Sequence, residues 1–154
     1  DGANGIAFHV QPDGKSYYIM AVVVPGNVYD LWFPPEIEKK KLDMPHAGEE
    51  ESRRFALGDP MCVLGRVEDG RLTVLTARKM MDSVKKGDWV QIQVKVTGDL
   101  LQGAARRDRV ATYVGARDAS YSSGRVGLMT ERSTGAFKNV FVWDKALMIR
   151  EMRE

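Results

Sequence analysis

Polar and apolar residues alternate along several stretches of the chain, and the alternation is sharpest in residues 89–97. Gln91, Gln93 and Lys95 fall on one side of this stretch, and Val or Ile occupies every position between them. A strand with one buried face and one solvent-facing face has this period of two. Residues 89–97 therefore predict a strand with one face in the core and the other exposed to solvent.

The beginning of the chain predicts strands joined by tight turns. Residues 5–10 and 16–24 are rich in aromatic and β-branched residues, and the Pro-Asp-Gly sequence between them supplies the conformations that a turn needs. A Pro-Gly-Asn turn then leads into residues 28–33, which predict a third strand. Three strands in direct succession favour an antiparallel sheet over parallel strands joined by helices.

Later stretches have the same character, with turn signals between them. Strands are predicted at residues 61–67, 72–77, 109–114, 124–130 and 136–143. Helical turns are predicted only near residues 36–42 and 78–84. Short strands at close intervals predict an all-β fold, a two-sheet antiparallel β-sandwich. We expect a single domain over residues 1–154, with a charged loop at about 34–56 and a C-terminal tail at 145–154.

Composition narrows the class of protein. The chain has 154 residues, 44% of them hydrophobic and 29% charged, which suits one domain with a single core. Its net charge is only +2, so we expect no nucleic-acid partner. Its longest apolar runs are too short to cross a membrane. Cys62 is the only cysteine, which excludes an intramolecular disulfide and a cysteine metal cluster.

Several short motifs together resemble a known family. They are Trp89 with its alternating strand, the Gly98-Asp99 turn, residues 118–130 (DASYSSGRVGLMT), residues 136–142 (AFKNVFV), and the opening Gly-Ile-Ala-Phe-His with Tyr17-Tyr18. This set resembles the concanavalin-A-like (laminin-G-like) jelly roll, in particular the bacterial 3-keto-disaccharide hydrolase-type domains. The resemblance implies an extracytoplasmic jelly roll that binds glycans or proteins or hydrolyses glycosidic bonds.

The resemblance also implies which residues fill the core and how the chain departs from the family. Val126 and Leu128 would face the core, and Phe137 with the valines at 140 and 142 would fill the space between the sheets. Lys138 stands where the family often has an acidic residue, and no other motif supports calcium, so we expect no cofactor.

The chain starts close to the first recognisable hairpin, whereas members of the family usually carry another strand or two before it, so we expect a fold that lacks N-terminal strands. The strand at residues 5–10 would then lie at a sheet edge, which soluble proteins normally protect. We expect the tail at 145–154 or a partner chain to cover it. The chain would in that case be a subunit or a fragment of a larger assembly.

Four residues are candidates for ligand binding: His9, Tyr18, Asp30 and Trp32. Alternation places Trp32 and Asp30 on one strand face, where the ring could stack on a sugar and the carboxylate could bind hydroxyls. Tyr18 would offer a second stacking ring. His9, on the face opposite Phe8, would supply a hydrogen bond. The alternatives are core packing for the aromatic residues and a half-exposed strand position for the histidine.

Catalytic residues are not evident. No pair of carboxylates has the spacing on a strand that would place them on either side of a glycosidic bond, and two histidines without other ligands predict no zinc site. The cationic stretch at residues 104–126 suits a solvated loop tip, and the alternative is a patch that binds an anionic glycan or an acidic partner. The sequence thus favours a noncatalytic recognition or assembly domain that binds a glycan or a protein partner through a sheet face or loops. The alternative is an extracytoplasmic glycoside hydrolase of the 3-keto-glycoside or glucan type.

Overall fold

A computed structural model describes residues 2–24, 60–80, 84–85, 87–131 and 134–143 of the chain. These residues form eight strands and, within those ranges, no helix. The strands are β1 (Gly2–Val10), β2 (Ser16–Val24), β3 (Met61–Glu68), β4 (Arg71–Lys79), β5 (Gln91–Thr97), β6 (Leu100–Arg107), β7 (Val110–Arg117) and β8 (Arg125–Glu131). None of the described residues belongs to a helix that is long and apolar enough to span a membrane.

The strands form two antiparallel sheets, as predicted. One has five strands in the order β4-β3-β2-β1-β8, and the other has three in the order β5-β6-β7. Every ladder is antiparallel. The all-β class and the two-sheet arrangement are therefore confirmed, and they are consistent with a β-sandwich.

The five-stranded sheet is apolar on both faces. On β2, Ile19 and Ala21 belong to a cluster on the outer face of the sheet, and Tyr18 and Met20 belong to the cluster between the two sheets. All four side chains are fully buried. This explains why β2 is a continuous apolar run, because a strand buried on both faces has no polar side to alternate with.

The core between the sheets joins β2 and β3 to β6 and β7. Leu64 of β3 and Leu101 of β6 are both fully buried in it, together with Cys62. Burial raises the pKa of the Cys62 thiol to about 12, so the thiol stays protonated at neutral pH. The core thus holds the two sheets together mainly by apolar packing.

Several predicted strand positions need correction. β1 is not an edge strand: it starts at Gly2 and lies between β2 and β8. β6 was not predicted, because its sequence LLQGAARR lacks β-branched and aromatic residues. The helical turn at 78–84 is wrong at its start, since Arg78 and Lys79 belong to β4.

The region after β8 also differs from expectation. Residues 136–143 form no strand. Phe137 and the valines at 140 and 142 are exposed rather than packed between the sheets. Val126 and Leu128 are 49% and 47% exposed, because the three-stranded sheet packs against β1–β4 and does not extend over β8.

Other predictions lie outside the described residues. These are the strand at 28–33, the helical turn at 36–42, the charged loop at 34–56 and the C-terminal tail at 145–154.

Candidate functional site

A loop crosses from the three-stranded sheet to the five-stranded sheet between β7 and β8, and we call residues 118–124 the crossing loop. Its first residue, Asp118, accepts a 2.5 Å hydrogen bond from the Tyr18 hydroxyl of β2. Arg66 of β3 donates to the other carboxylate oxygen. The Tyr18 oxygen in turn accepts a 3.1 Å hydrogen bond from the backbone N–H of Tyr121. Side chains of two central strands therefore hold the loop in place.

The carboxylate of Asp118 is held in its ionised form. Burial alone would raise its pKa, but the hydrogen bonds from Tyr18 and Ser120 and the charge of Arg66 outweigh burial, and the pKa is lowered overall. Burial and the hydrogen bond to Asp118 raise the pKa of Tyr18. The pair is thus an ionised carboxylate and a neutral phenol at neutral pH.

Arg66 contacts two carboxylates at once. Its guanidinium bonds Asp118, and its Nε lies 3.3 Å from Oε1 of Glu68, outside hydrogen-bonding geometry. Nη1 also donates to the Ser120 hydroxyl at 3.2 Å. The arginine compensates the charge of Asp118 and is itself largely covered.

His9 lies next to this network rather than on a separate face. The register of β1 against β8 shifts between Ala7 and Val10, and His9 has a positive φ of 48°. Strict alternation is interrupted there, so the rings of His9 and Phe8 contact each other edge to face at 5.8 Å. His9 Nδ1 donates a 2.9 Å hydrogen bond to the carbonyl of Tyr121. His9 therefore also fastens the crossing loop.

The predicted ligand-binding residues thus divide into two groups. His9 and Tyr18 come together, with their ring centroids 6.0 Å apart, but both engage the crossing loop. Tyr18 has an exposed fraction of 0%, so its ring is not available for stacking on a sugar, and the stacking role expected of it is not possible in this structure. Asp30 and Trp32 lie outside the described residues.

The outer face of the three-stranded sheet offers a different surface, which we call the Tyr113 face. Alternate residues of β5, β6 and β7 point outward there, and the two ladders align them in rows. The rows are Gln91–Arg106–Ala111, Gln93–Ala104–Tyr113, Lys95–Gln102–Gly115 and Thr97–Leu100–Arg117. Most of these side chains are exposed.

Tyr113 differs from the other residues of this face because its ring is exposed and its neighbours have small side chains or none. It is 59% exposed and lies opposite Ala104, with Ala111 and Gly115 on either side of it along β7. Among the described residues no other ring or cation packs on it. Trp89 is also exposed, but the ammonium of Lys138 lies 4.1 Å from the centroid of its ring. Tyr113 therefore offers an open aromatic face, with Gln102 of β6 one row away and Gln93 of β5 at the other end of its own row.

Sequence reasoning missed Tyr113, although a signal was present. Residues 110–117 (VATYVGAR) have the composition of a strand, and in a strand Tyr113 points to the face opposite Val114. The crowding of aromatic residues in the first 33 positions drew the prediction to that part of the chain instead.

An apolar segment follows β8, formed by Phe137, Val140, Phe141, Val142 and Trp143. All five side chains are exposed, and Val142 is 69% exposed. The rings of Phe141 and Trp143 stack with their centroids 5.5 Å apart. Exposed aromatic and aliphatic side chains at this density are typical of interaction surfaces.

Metal ligands do not cluster in the described part of the chain, where no three His, Cys, Asp or Glu side chains come together. Comparison with protein-family models, with curated proteins and with solved structures finds no match. The concanavalin-A-like resemblance therefore remains a prediction from sequence.

Proposed function

We propose that this chain is a noncatalytic recognition domain that binds a glycan across the Tyr113 face. The exposed Tyr113 ring, set over Ala104 and beside Gly115, carries the proposal. An aromatic face packs on the apolar face of a sugar ring, and nearby amides such as Gln93 and Gln102 bind its hydroxyls. The hydrogen-bonded strands hold these groups in fixed positions, which lowers the entropy cost of binding.

Within the described residues, the closest arrangement of two carboxylates favours a noncatalytic function over glycoside hydrolysis. Hydrolysis of a glycosidic bond by two carboxyl groups needs a protonated acid, with a raised pKa, on one side of that bond and a carboxylate on the other side. Glu68 and Asp118 approach each other at the Arg66 guanidinium, but the pKa of Asp118 is lowered. An ionised, arginine-bound carboxylate is poorly suited to donate a proton.

The sequence resemblance adds two proposals about the setting. The sandwich would be a concanavalin-A-like jelly roll, and the domain would meet its ligand outside the cytoplasm. Both rest on the short motifs in residues 118–130 and 136–142.

The test is glycan-array screening followed by titration of Tyr113→Ala. Loss of the ring should weaken binding of an array-selected glycan by about 1–2 kcal/mol without unfolding the domain, because Tyr113 lies on the surface. Tyr113→Phe should keep most of the affinity, and Phe141→Ala, an exposed aromatic outside the face, should keep all of it. Unchanged affinity in Tyr113→Ala, with an intact circular dichroism spectrum, would contradict the proposal.

A second function, assembly with a protein partner, is favoured by the apolar segment. Phe141 and Trp143 are each 67% exposed and stack on one another, which presents a broad apolar surface to solvent. Covering that surface in a complex would release water and stabilise the association.

A further inference from the structure

We propose that the ligand of the Tyr113 face is an acidic polysaccharide, whose sugar carboxylates are bound by Lys95 and Arg106. This inference rests on the proposed glycan recognition and adds the charge of the ligand to it. Its basis is the distribution of charge around the exposed ring.

The Tyr113 face carries basic residues and no acidic ones. Lys95, Arg106 and Arg117 point outward from the three strands, and none of the other positions in the four rows is Asp or Glu. Arg117 pairs with Asp99 of the β5–β6 turn at 2.6 Å. Lys95 and Arg106 are exposed and have no ion-pair partner among the described residues. Two cations on this face are therefore available to a ligand.

These two cations lie on opposite sides of the tyrosine. Tyr113 is paired with Ala104, so Arg106 is one row before it and Lys95 one row after it. Consecutive rows are two residues apart, which is about 7 Å along a strand. A sugar stacked on Tyr113 would have Arg106 of the adjacent strand β6 near one end, while Lys95 lies two strands away on β5, within reach of the next sugar along the polymer. The neighbours of the stacked sugar in the polysaccharide could then place a carboxylate on each cation.

The amount of charge favours a uronic-acid chain over more highly charged polymers. Two unpaired cations match a polymer that carries one carboxylate on each sugar, because two successive sugars then supply two carboxylates. The neutral side chains of Gln93 and Gln102 remain to bind the sugar hydroxyls. The Arg106 guanidinium suits a planar carboxylate, which it can bind with two parallel hydrogen bonds. A nucleic acid carries a phosphate on every nucleotide and is bound by a denser basic stripe than this face provides.

The test compares two polysaccharides with the same sugar backbone, one with free carboxylates and one with uncharged methyl esters. Polygalacturonate and its fully methyl-esterified form are titrated against the full chain at low ionic strength. The acid form should bind about tenfold more tightly, and the difference should shrink as salt screens the charges. In the double variant Lys95→Gln/Arg106→Gln the two forms should bind equally. Arg109→Gln, which removes a cation from the β6–β7 turn outside the face, should keep the preference.

Each result separates this inference from the proposed function. Equal binding of both forms by the unaltered chain, weakened by Tyr113→Ala, would overturn the inference and support glycan recognition. A preference that survives in the double variant would also overturn it. Stronger binding of dextran sulfate or of an oligodeoxythymidylate than of polygalacturonate would show a general polyanion surface and overturn it. Failure of the unaltered chain to bind any glycan would contradict the proposed function itself.

Discussion

At the scale of single residues, a close approach between backbone segments explains Gly124 but not Gly127. A Cβ at Gly124 would lie 2.5 Å from the carbonyl carbon of His9 and 2.6 Å from the oxygen of Val10. A Cβ at Gly127 would meet nothing within 4 Å. Of these two positions, only 124 therefore requires a glycine for close packing.

The pair makes a matched test. Gly124→Ala should lower the free energy of unfolding by roughly 1–3 kcal/mol, because the methyl group would push the crossing loop away from rigid β1 backbone. Gly127→Ala should change it by no more than about 0.5 kcal/mol. Urea denaturation of both variants measures the difference, and equal effects would contradict the close approach.

The sequence analysis selected His9 and Tyr18 as ligand-binding candidates, but it did not identify the residues of the crossing loop that they contact. Tyr18 meets Asp118, which is 100 positions away in the chain. No local pattern specifies such a contact, because alternation indicates only the face on which a side chain lies. The bulge that turns His9 inward is equally invisible to alternation, since one extra residue shifts the face of those that follow.

At the scale of elements, strands were predicted best where the residues favour a strand and neighbouring strands also pair with it. β2 was predicted with its observed bounds of Ser16–Val24. β6 was missed because its Gly, Ala and Arg residues favour a strand only when β5 and β7 pair with it. Residues 136–143 have the opposite character: their valines and aromatic residues favour a strand, yet no strand among the described residues pairs with them.

The crossing loop should make the protein sensitive to acid. The folded-state pKa of Asp118 is lowered below its ordinary value of 3.8, so its stabilising effect is complete above the unfolded pKa. That effect is lost as pH falls through the folded-state pKa. Asp118→Asn should therefore lower stability at pH 7 by about 1–3 kcal/mol and weaken the dependence on pH below about 4.

Denaturation at a series of pH values measures this effect. Asp13→Asn is a suitable control, since Asp13 lies in the exposed β1–β2 turn and its carboxylate accepts only a local hydrogen bond from Lys15. If Asp118→Asn kept the full acid dependence of the unaltered chain, the crossing loop would not be held by an ionised carboxylate.

At the scale of the whole molecule, the two sheets differ in width, and this difference leaves apolar surface uncovered. The five-stranded sheet extends past its partner at β8, where Val126 and Leu128 are exposed, and the apolar segment follows. Monomeric proteins rarely expose so many large apolar side chains together. The sequence predicted these residues as core because their pattern indicates burial but not which sheet is wide enough to provide it.

We expect this surface to cause self-association or binding of a partner in solution. The double variant Phe141→Ser/Trp143→Ser should sediment as a smaller species than the unaltered chain at equal concentration, because the stacked rings no longer contribute apolar area. Tyr113→Ser, which removes an exposed aromatic residue from the outer face of the three-stranded sheet, should not change sedimentation. A monomeric unaltered chain that also fails to bind a hydrophobic dye would contradict the expectation.

The position of β8 beside β1 also affects how the protein is made. β1 pairs with β8 on one side, and 115 positions separate Val10 from Arg125. A ribosome adds about 5–20 residues per second, so one side of β1 waits roughly 6–23 s for its neighbour. During that time an apolar strand offers unpaired N–H and C=O groups to other nascent chains. During synthesis, β1 is thus a site at which this protein needs protection from aggregation.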